Sequence, residues 1–192
     1  MIHTGIVQYL SEIDTNIFLS FNGIHSPFWD YFMSSFTGKF IWIPMYATIL
    51  YILLKNFHWK VVMCYVAAIA LTITFADQMC SSIIRPVVAR LRPANPENPI
   101  VDLVYIVNGY RGGSYGFPSC HAANSLGLAM FVIFLFRKRW LSIFILTWAI
   151  LNCYTRIYLG VHYPGDFTRR RYYRRYSAVG CSALSPTKQP SI

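Results

Sequence analysis

The residue types that could do chemistry in this 192-residue chain gather in three short stretches: RPVVARLRP (Arg85 to Pro93), YGFPSCH (Tyr115 to His121) and TRIYLGVHYPGD (Thr155 to Asp166). Together they hold Arg85, Arg92 and Arg156, Ser119, His121 and His162, and Asp166. Arginine presents a planar fork of donors that matches phosphate oxygens. A carboxylate near an imidazole, as Asp166 is to His162, can fix one ring nitrogen and leave the other free to attack. His121 opens an apolar run, so the amides of Ser119 to His121 fall at a helix N-terminus, where unpaired N–H groups and the dipole favour an anion. Paired with His162, His121 is a candidate general acid. Any one of these arginines could be a snorkelling, membrane-edge residue, but three beside two histidines favour a site for phosphoryl transfer. Arg85 and Arg92 are two helical turns apart and would share a face if the helix continued past Pro86.

The elements that must carry these stretches are membrane helices. The chain is 55% hydrophobic and 12% charged, against roughly 25% charged in soluble domains. Segments of about 20 apolar residues are needed to cross the bilayer, and four qualify: roughly 36–54, 60–84, 119–136 and 140–158. Ahead of them, a mixed stretch broken by Pro27 suits two short amphipathic helices at the interface. Residues 85–118, with five prolines and four glycines, form a long loop of the kind that carries function. No positively charged, apolar leader of the cleavable kind opens the chain. Five cysteines without CxxC spacing indicate neither a disulfide framework nor a zinc site. Lys55 and Lys60 join the first two spans, and Arg137, Lys138 and Arg139 the last two, so the positive-inside rule puts both loops in the cytoplasm. All three chemical stretches then meet on the outer face, where substrate anions would account for the arginines present there too.

In order and spacing the three stretches resemble the phosphatase motifs of the type 2 phosphatidic acid phosphatase (PAP2) superfamily, KxxxxxxRP, PSGH and SRxxxxxHxxxD, over roughly residues 5 to 166. The wording ADQMCSSIIRPVVARLRP with NGYRGGSYGFPSCHAAN is most similar to small bacterial undecaprenyl-diphosphatase-like membrane phosphatases. The resemblance implies an all-α integral membrane bundle of the PAP2/haloperoxidase type in a bacterial inner membrane, hydrolysing a lipid phosphate, with undecaprenyl diphosphate favoured. It implies a phosphohistidine on His162 oriented by Asp166, proton donation by His121, and phosphoryl oxygens held by Arg85, Arg92, Arg156, Ser119 and the Cys120 amide. It implies no metal and no other cofactor. Three positions depart from the pattern: Arg85 stands for lysine, Cys120 for glycine and Thr155 for serine. Cys120 is not expected to be a nucleophile itself, because the arginine that cysteine phosphatases place six residues on is Leu126 here.

The formal charge of +10 suggests nucleic acid, but six of the seventeen basic residues and none of the acids fall in residues 167–192. The expected partners are therefore a lipid phosphate and membrane lipids, with no nucleic acid. The phosphatase domain is read as 1–166 and the tail, 167–192, as disordered or frameshifted. In the family an apolar helix follows the aspartate, whereas here five arginines in seven residues would each cost about 2.5 to 3.5 kcal/mol at mid-bilayer. The usual last span is thus expected to be missing. Two readings compete from different classes: a lipid phosphatase, and a catalytically impaired relative that binds lipid phosphate.

Overall fold

The structure is a computed structural model whose described residues are 2–38 and 40–167; the basic tail lies, from residue 168, outside them. Ser26 and Pro27 set the first break in the chain. The Ser26 hydroxyl accepts from the Trp29 amide, and Pro27, with its fixed φ and missing N–H, sits at a helix start where neither matters. On either side lie α1 (Ile2–Asn22) and α2 (Pro27–Phe36). The expected break is therefore present, although α1 is a 21-residue helix rather than a short one. After α2 the chain bends by 69°, passes a 3-10 turn at Phe40–Trp42 and enters α3 (Ile43–Asn56). Three further helices follow: α4 (Trp59–Val88), α5 (Cys120–Phe136) and α6 (Arg139–Tyr158). No strand occurs among the described residues, only an isolated bridge between Leu91 and Tyr115.

All four expected spans are helical, but they differ in reach. Trp59–Val88 and Arg139–Tyr158 are each long and apolar enough to cross a membrane, and the bent pair Pro27–Phe36 with Phe40–Asn56 makes a third if taken together. Cys120–Phe136, with 17 residues, extends about 26 Å, a little less than the hydrocarbon thickness of about 30 Å. Large apolar side chains on the outer surfaces, among them Leu71, Phe75, Phe134 and Ile143, are exposed, as lipid contact requires.

Leu128, Ala129 and Val132 of α5 pack with Ile145, Trp148 and Ala149 of α6, and Phe36, Trp42 and Met45 close over them. The small Ala129 and Ala149, both fully buried, allow the close approach that membrane helices need in place of a hydrophobic drive. α1 is pinned through Asn22. Its Nδ2 donates to the carbonyls of Tyr105 and Tyr158, and its Oδ1 accepts from the Tyr105 amide. Asp30 of α2 accepts from both the Tyr105 and Tyr158 hydroxyls, at 2.8 and 2.6 Å. These contacts tie the N-terminal helices and the 89–119 loop to the end of α6. The C-terminus of α4, the N-terminus of α5 and the C-terminus of α6 consequently meet at one end of the bundle.

Candidate active site

α4 does not carry its arginines on one face. The helix passes Pro86 by widening into a π turn at Met79–Ile84, then stops at Val88, where Ala89 adopts φ +49°. The left-handed conformation costs a non-glycine residue about 1 to 2 kcal/mol, and here it turns the chain into the site. Arg90 and Arg92 then flank the bridged Leu91, so their side chains fall on the same side of an extended segment. The expectation that Arg85 and Arg92 share a helical face is corrected: Arg85 lies on α4 and Arg92 beyond its end.

Three guanidinium groups reach the site from different elements. Arg85 donates through Nε and Nη2 to the Pro118 carbonyl, which follows a cis Phe117–Pro118 bond. Arg92, 5% exposed, donates through Nε to the Tyr115 carbonyl at 3.0 Å. Arg156, 3% exposed, donates to the Thr37 hydroxyl and to the Tyr110 hydroxyl. Arg92 Nη1 and Arg156 Nε are buried without any partner. Unpaired buried donors on cations are costly, and an anion within reach of both would offset that cost. Burial, together with the Arg85 and Arg156 charges, lowers Arg92 to about 10, so it stays cationic at neutral pH and the mutual repulsion stays in place. Gly112, at φ +68°, lets the loop cross this group, since a Cβ there would sit 2.5 Å from Arg92 Nη1.

His162 and Asp166 make the contact their spacing suggests, with Nδ1 3.1 Å from Oδ2. The turn through Pro164 and Gly165 is a 3-10 turn, and the Tyr163 amide also donates to Oδ2 at 3.0 Å. Gly116 permits the approach of the loop, because a Cβ there would lie 2.9 Å from Asp166 Oδ2 and 3.6 Å from His162 Nδ1. Burial pushes the imidazole down to about 4, outweighing the opposite pull of Asp166. His162 is therefore neutral near pH 7, with Nδ1–H donated to the carboxylate and the Nε2 lone pair available. Burial alone would raise the Asp166 carboxyl. The His162 hydrogen bond and the Arg90 charge outweigh it and hold the group below its ordinary range.

Ser119 is the N-cap of α5, its hydroxyl accepting from the Ala122 amide at 3.4 Å. Its own N–H donates to the Asp166 carbonyl, so the amides this turn leaves open are those of Cys120 and His121, which have no intrahelical acceptor. The Cys120 thiol is buried beside Cys80 and Asp77 of α4 and lies within electrostatic reach of Arg85. The His121 ring is exposed and within electrostatic reach of Arg85, Arg92, Arg156 and His162. The structure thus brings together every expected site residue. Among the described residues no three His, Cys, Asp or Glu side chains gather as metal ligands.

Two residues that the motifs did not single out complete the cluster. Arg90 donates through Nη1 to Asp166 Oδ1 at 2.8 Å and through Nη2 to Asp14 Oδ2 at 2.6 Å, with its guanidinium carbon 3.8 Å over the Tyr163 ring. Asp14, from α1, also accepts from the Gly165 amide at 2.7 Å. Thr37 and Tyr110, which hold Arg156, were likewise without a sequence signal.

The sequence profile of the PAP2 superfamily matches residues 59–168. A lipid A 4'-phosphatase of Bacteroides thetaiotaomicron is 77% identical over 161 residues, 84% of this chain and 72% of that protein. A lipid A 4'-phosphatase of Porphyromonas gingivalis is 36% identical over 83% of this chain and 67% of that protein. An undecaprenyl-diphosphatase of Sulfolobus acidocaldarius is 27% identical over 83% and 68%. Two crystal structures share the fold: Aquifex aeolicus LpxE, with TM-score 0.56 at 22% identity over 80% of this chain and 84% of that one, and a PAP2-type phosphatidylglycerolphosphate phosphatase of Bacillus subtilis, with 0.59 at 18% over 83% and 77%. With its three motif segments assembled at one end of an apolar helical bundle, the chain belongs to the PAP2 superfamily and is a lipid phosphatase of the membrane.

Proposed function

We propose that this enzyme removes the 4'-phosphate of lipid A at the outer face of the inner membrane, through a phosphohistidine on His162. The substrate rests on one observation: the relative 77% identical over 84% of the chain is a lipid A 4'-phosphatase. The undecaprenyl diphosphate favoured by the motifs has behind it only a relative 27% identical. The chemistry rests on the His162–Asp166 contact beside two buried arginines with unpaired donors. Arg85, Arg92, Arg156 and the amides of Cys120 and His121 take the phosphoryl oxygens, neutralising charge where it spreads in the transition state.

His162 Nε2 attacks phosphorus in line, forming the N–P bond as the P–O bond to the sugar breaks. His121 gives its proton to the leaving oxygen. Asp166 stabilises the imidazolium through Nδ1–H. Water then attacks the phosphohistidine, passing a proton to His121, and the N–P bond breaks to release inorganic phosphate.

The test is phosphate release by the purified chain from lipid A bearing a radiolabelled 4'-phosphate, with quenching in alkaline denaturant to trap labelled enzyme. The expected outcome is an acid-labile, base-stable labelled protein that disappears in His162→Ala, along with a rate loss of at least about a thousandfold. Turnover by His162→Ala at the parent rate would overturn the assignment of the nucleophile. Release from undecaprenyl diphosphate but not from lipid A would overturn the substrate.

A further inference from the structure

Arg156 enters the site with its two terminal nitrogens held and its inner one free. Nη1 donates to the Thr37 hydroxyl at 3.1 Å and Nη2 to the Tyr110 hydroxyl at 3.3 Å, while the buried Nε has no partner. The two hydroxyls belong to different surroundings. Thr37 closes the C-terminus of α2. Tyr110 lies in the loop between α4 and α5, is 47% exposed, and has Arg156 Cζ 5.5 Å from its ring centre. A phenol that accepts from a guanidinium still has its own proton to give, and among the described residues nothing takes it.

The loop holds this tyrosine from both sides. Val107, 2% exposed, belongs to a buried cluster with Met33, Tyr158, Leu159 and Val161. Asn108 and Gly109 follow with φ +52° and +69°, the succession of positive φ that a type I′ turn requires, and the Tyr110 amide closes the turn on the Val107 carbonyl at 3.0 Å. Beyond the tyrosine, Arg111 donates to the Ala94 carbonyl at 2.8 Å and Gly112 crosses Arg92. Tyr110 is thereby fixed with Arg156 at its hydroxyl and Arg92 against the chain two residues on, the two arginines whose buried donors lack partners.

We propose that Tyr110 is a further catalytic residue of the phosphatase, its hydroxyl donating to a phosphoryl oxygen of the substrate while it accepts from Arg156. The proposal deepens the lipid phosphatase reading and rests on it. Nε and Nη2 branch from the same guanidinium carbon, so an oxygen that takes the orphaned Nε arrives beside the Tyr110 hydroxyl. Accepting from a cation polarises the O–H bond and makes it a stronger donor. The donor is neutral, so it meets the charge of the transition state without adding to the repulsion among Arg85, Arg92 and Arg156. No proton is transferred. The hydrogen bond from Arg156 lowers the phenol below its ordinary range, against the effect of burial, and the charges of Arg156 and Arg92 act in the same direction. A donor must keep its proton, whereas a phenol that only propped Arg156 would accept better when ionised.

The test uses the full chain in detergent micelles with lipid A bearing a 4'-phosphate, and Tyr110→Phe, which keeps the ring and removes the hydroxyl. The expected result is a fall in kcat/KM of about 10- to 100-fold at pH 7. In the parent chain kcat/KM is also expected to decline on the alkaline side as the phenol ionises. Arg92, lowered to about 10, titrates in the same direction, so Tyr110→3-fluorotyrosine assigns the limb, which moves to lower pH when the more acidic phenol is the titrating group. That variant differs by one atom and retains the packing. Turnover by Tyr110→Phe at the parent rate, or an alkaline limb that the fluorinated residue leaves unmoved, overturns the proposal. Binding of orthovanadate, followed by vanadium NMR, separates this claim from the substrate. Its affinity is expected to drop about tenfold in Tyr110→Phe, and an unchanged affinity counts against the phosphoryl contact. The drop without any release from lipid A overturns the proposed lipid and leaves Tyr110 in place.

Discussion

The proposed nucleophile of this site, His162, is kept neutral by burial and kept oriented by a charge. His162 is 1% exposed, and its contact with Asp166 does not restore the ordinary imidazole pKa, because desolvation and the charges of Arg92 and Arg156 act against protonation. A group neutral in the folded protein down to about 4 but near 6.5 when unfolded binds its proton preferentially in the unfolded state across that window. Stability contributed by the neutral form is thus complete above about 6.5 and is lost as pH falls toward 4. Asp166 acts in a separate range, since its carboxyl is held below the usual value and its contribution fails only at still lower pH. In detergent, the thermal midpoint is expected to fall by on the order of 5 °C between pH 7 and pH 4.5, with the slope reduced in His162→Asn. A flat profile in the parent chain, or an identical slope in the variant, would show that His162 is not the titrating group.

At the scale of elements, the site depends on an ion-pair chain running from α1 to the turn after α6. Arg90 bridges Asp14 and Asp166 with different nitrogens, and Asp14 in turn holds the Gly165 amide. Arg90 grips Asp166 Oδ1 while Asp166 Oδ2 meets His162, so its proposed role is to position the carboxylate. Arg90→Gln is expected to lower kcat by about 10- to 100-fold, the usual cost of losing an orienting partner, with KM changed less than about threefold. Asp14→Asn should lower it less. The double variant should fall no further than Arg90→Gln, because one network is removed once. Strictly additive losses, or a fall in KM-dependent binding alone, would remove Arg90 from this role. The motifs made His121, His162, Asp166 and the three arginines legible because each lies at a fixed spacing inside a short stretch. Asp14 was not legible: its partners are 76 and 151 residues away, and within α1 it reads as one polar residue on an amphipathic helix. Arg90 left a fainter trace, since its spacing of two from Arg92 places both on one side once the helix ends at Val88. The helices were legible from apolar length, whereas the bend before α3 and the π turn in α4 depend on packing that no local pattern records.

For the whole molecule, the question is which end of the bundle faces the cytoplasm, and residue counts alone do not decide it. Among the described residues five basic side chains lie at each end: Lys55, Lys60, Arg137, Lys138 and Arg139 opposite Arg85, Arg90, Arg92, Arg111 and Arg156. The structure separates them by what they touch. Arg85, Arg92 and Arg111 donate to backbone carbonyls, Arg90 to two carboxylates and Arg156 to two hydroxyls. The five at the other end are exposed. If the arginines at the site serve a bound anion rather than the membrane surface, the positive-inside rule favours the Lys55 and Arg137 end in the cytoplasm and the site outside. Single cysteines at Glu97, an exposed position in the site-side loop, and at Lys138 provide the measurement. With a membrane-impermeant maleimide on intact spheroplasts, Glu97→Cys is expected to label above the parent chain, and Lys138→Cys only after the membrane is opened. The reverse pattern would place the site in the cytoplasm, and with it the pool of lipid phosphate that the enzyme can reach.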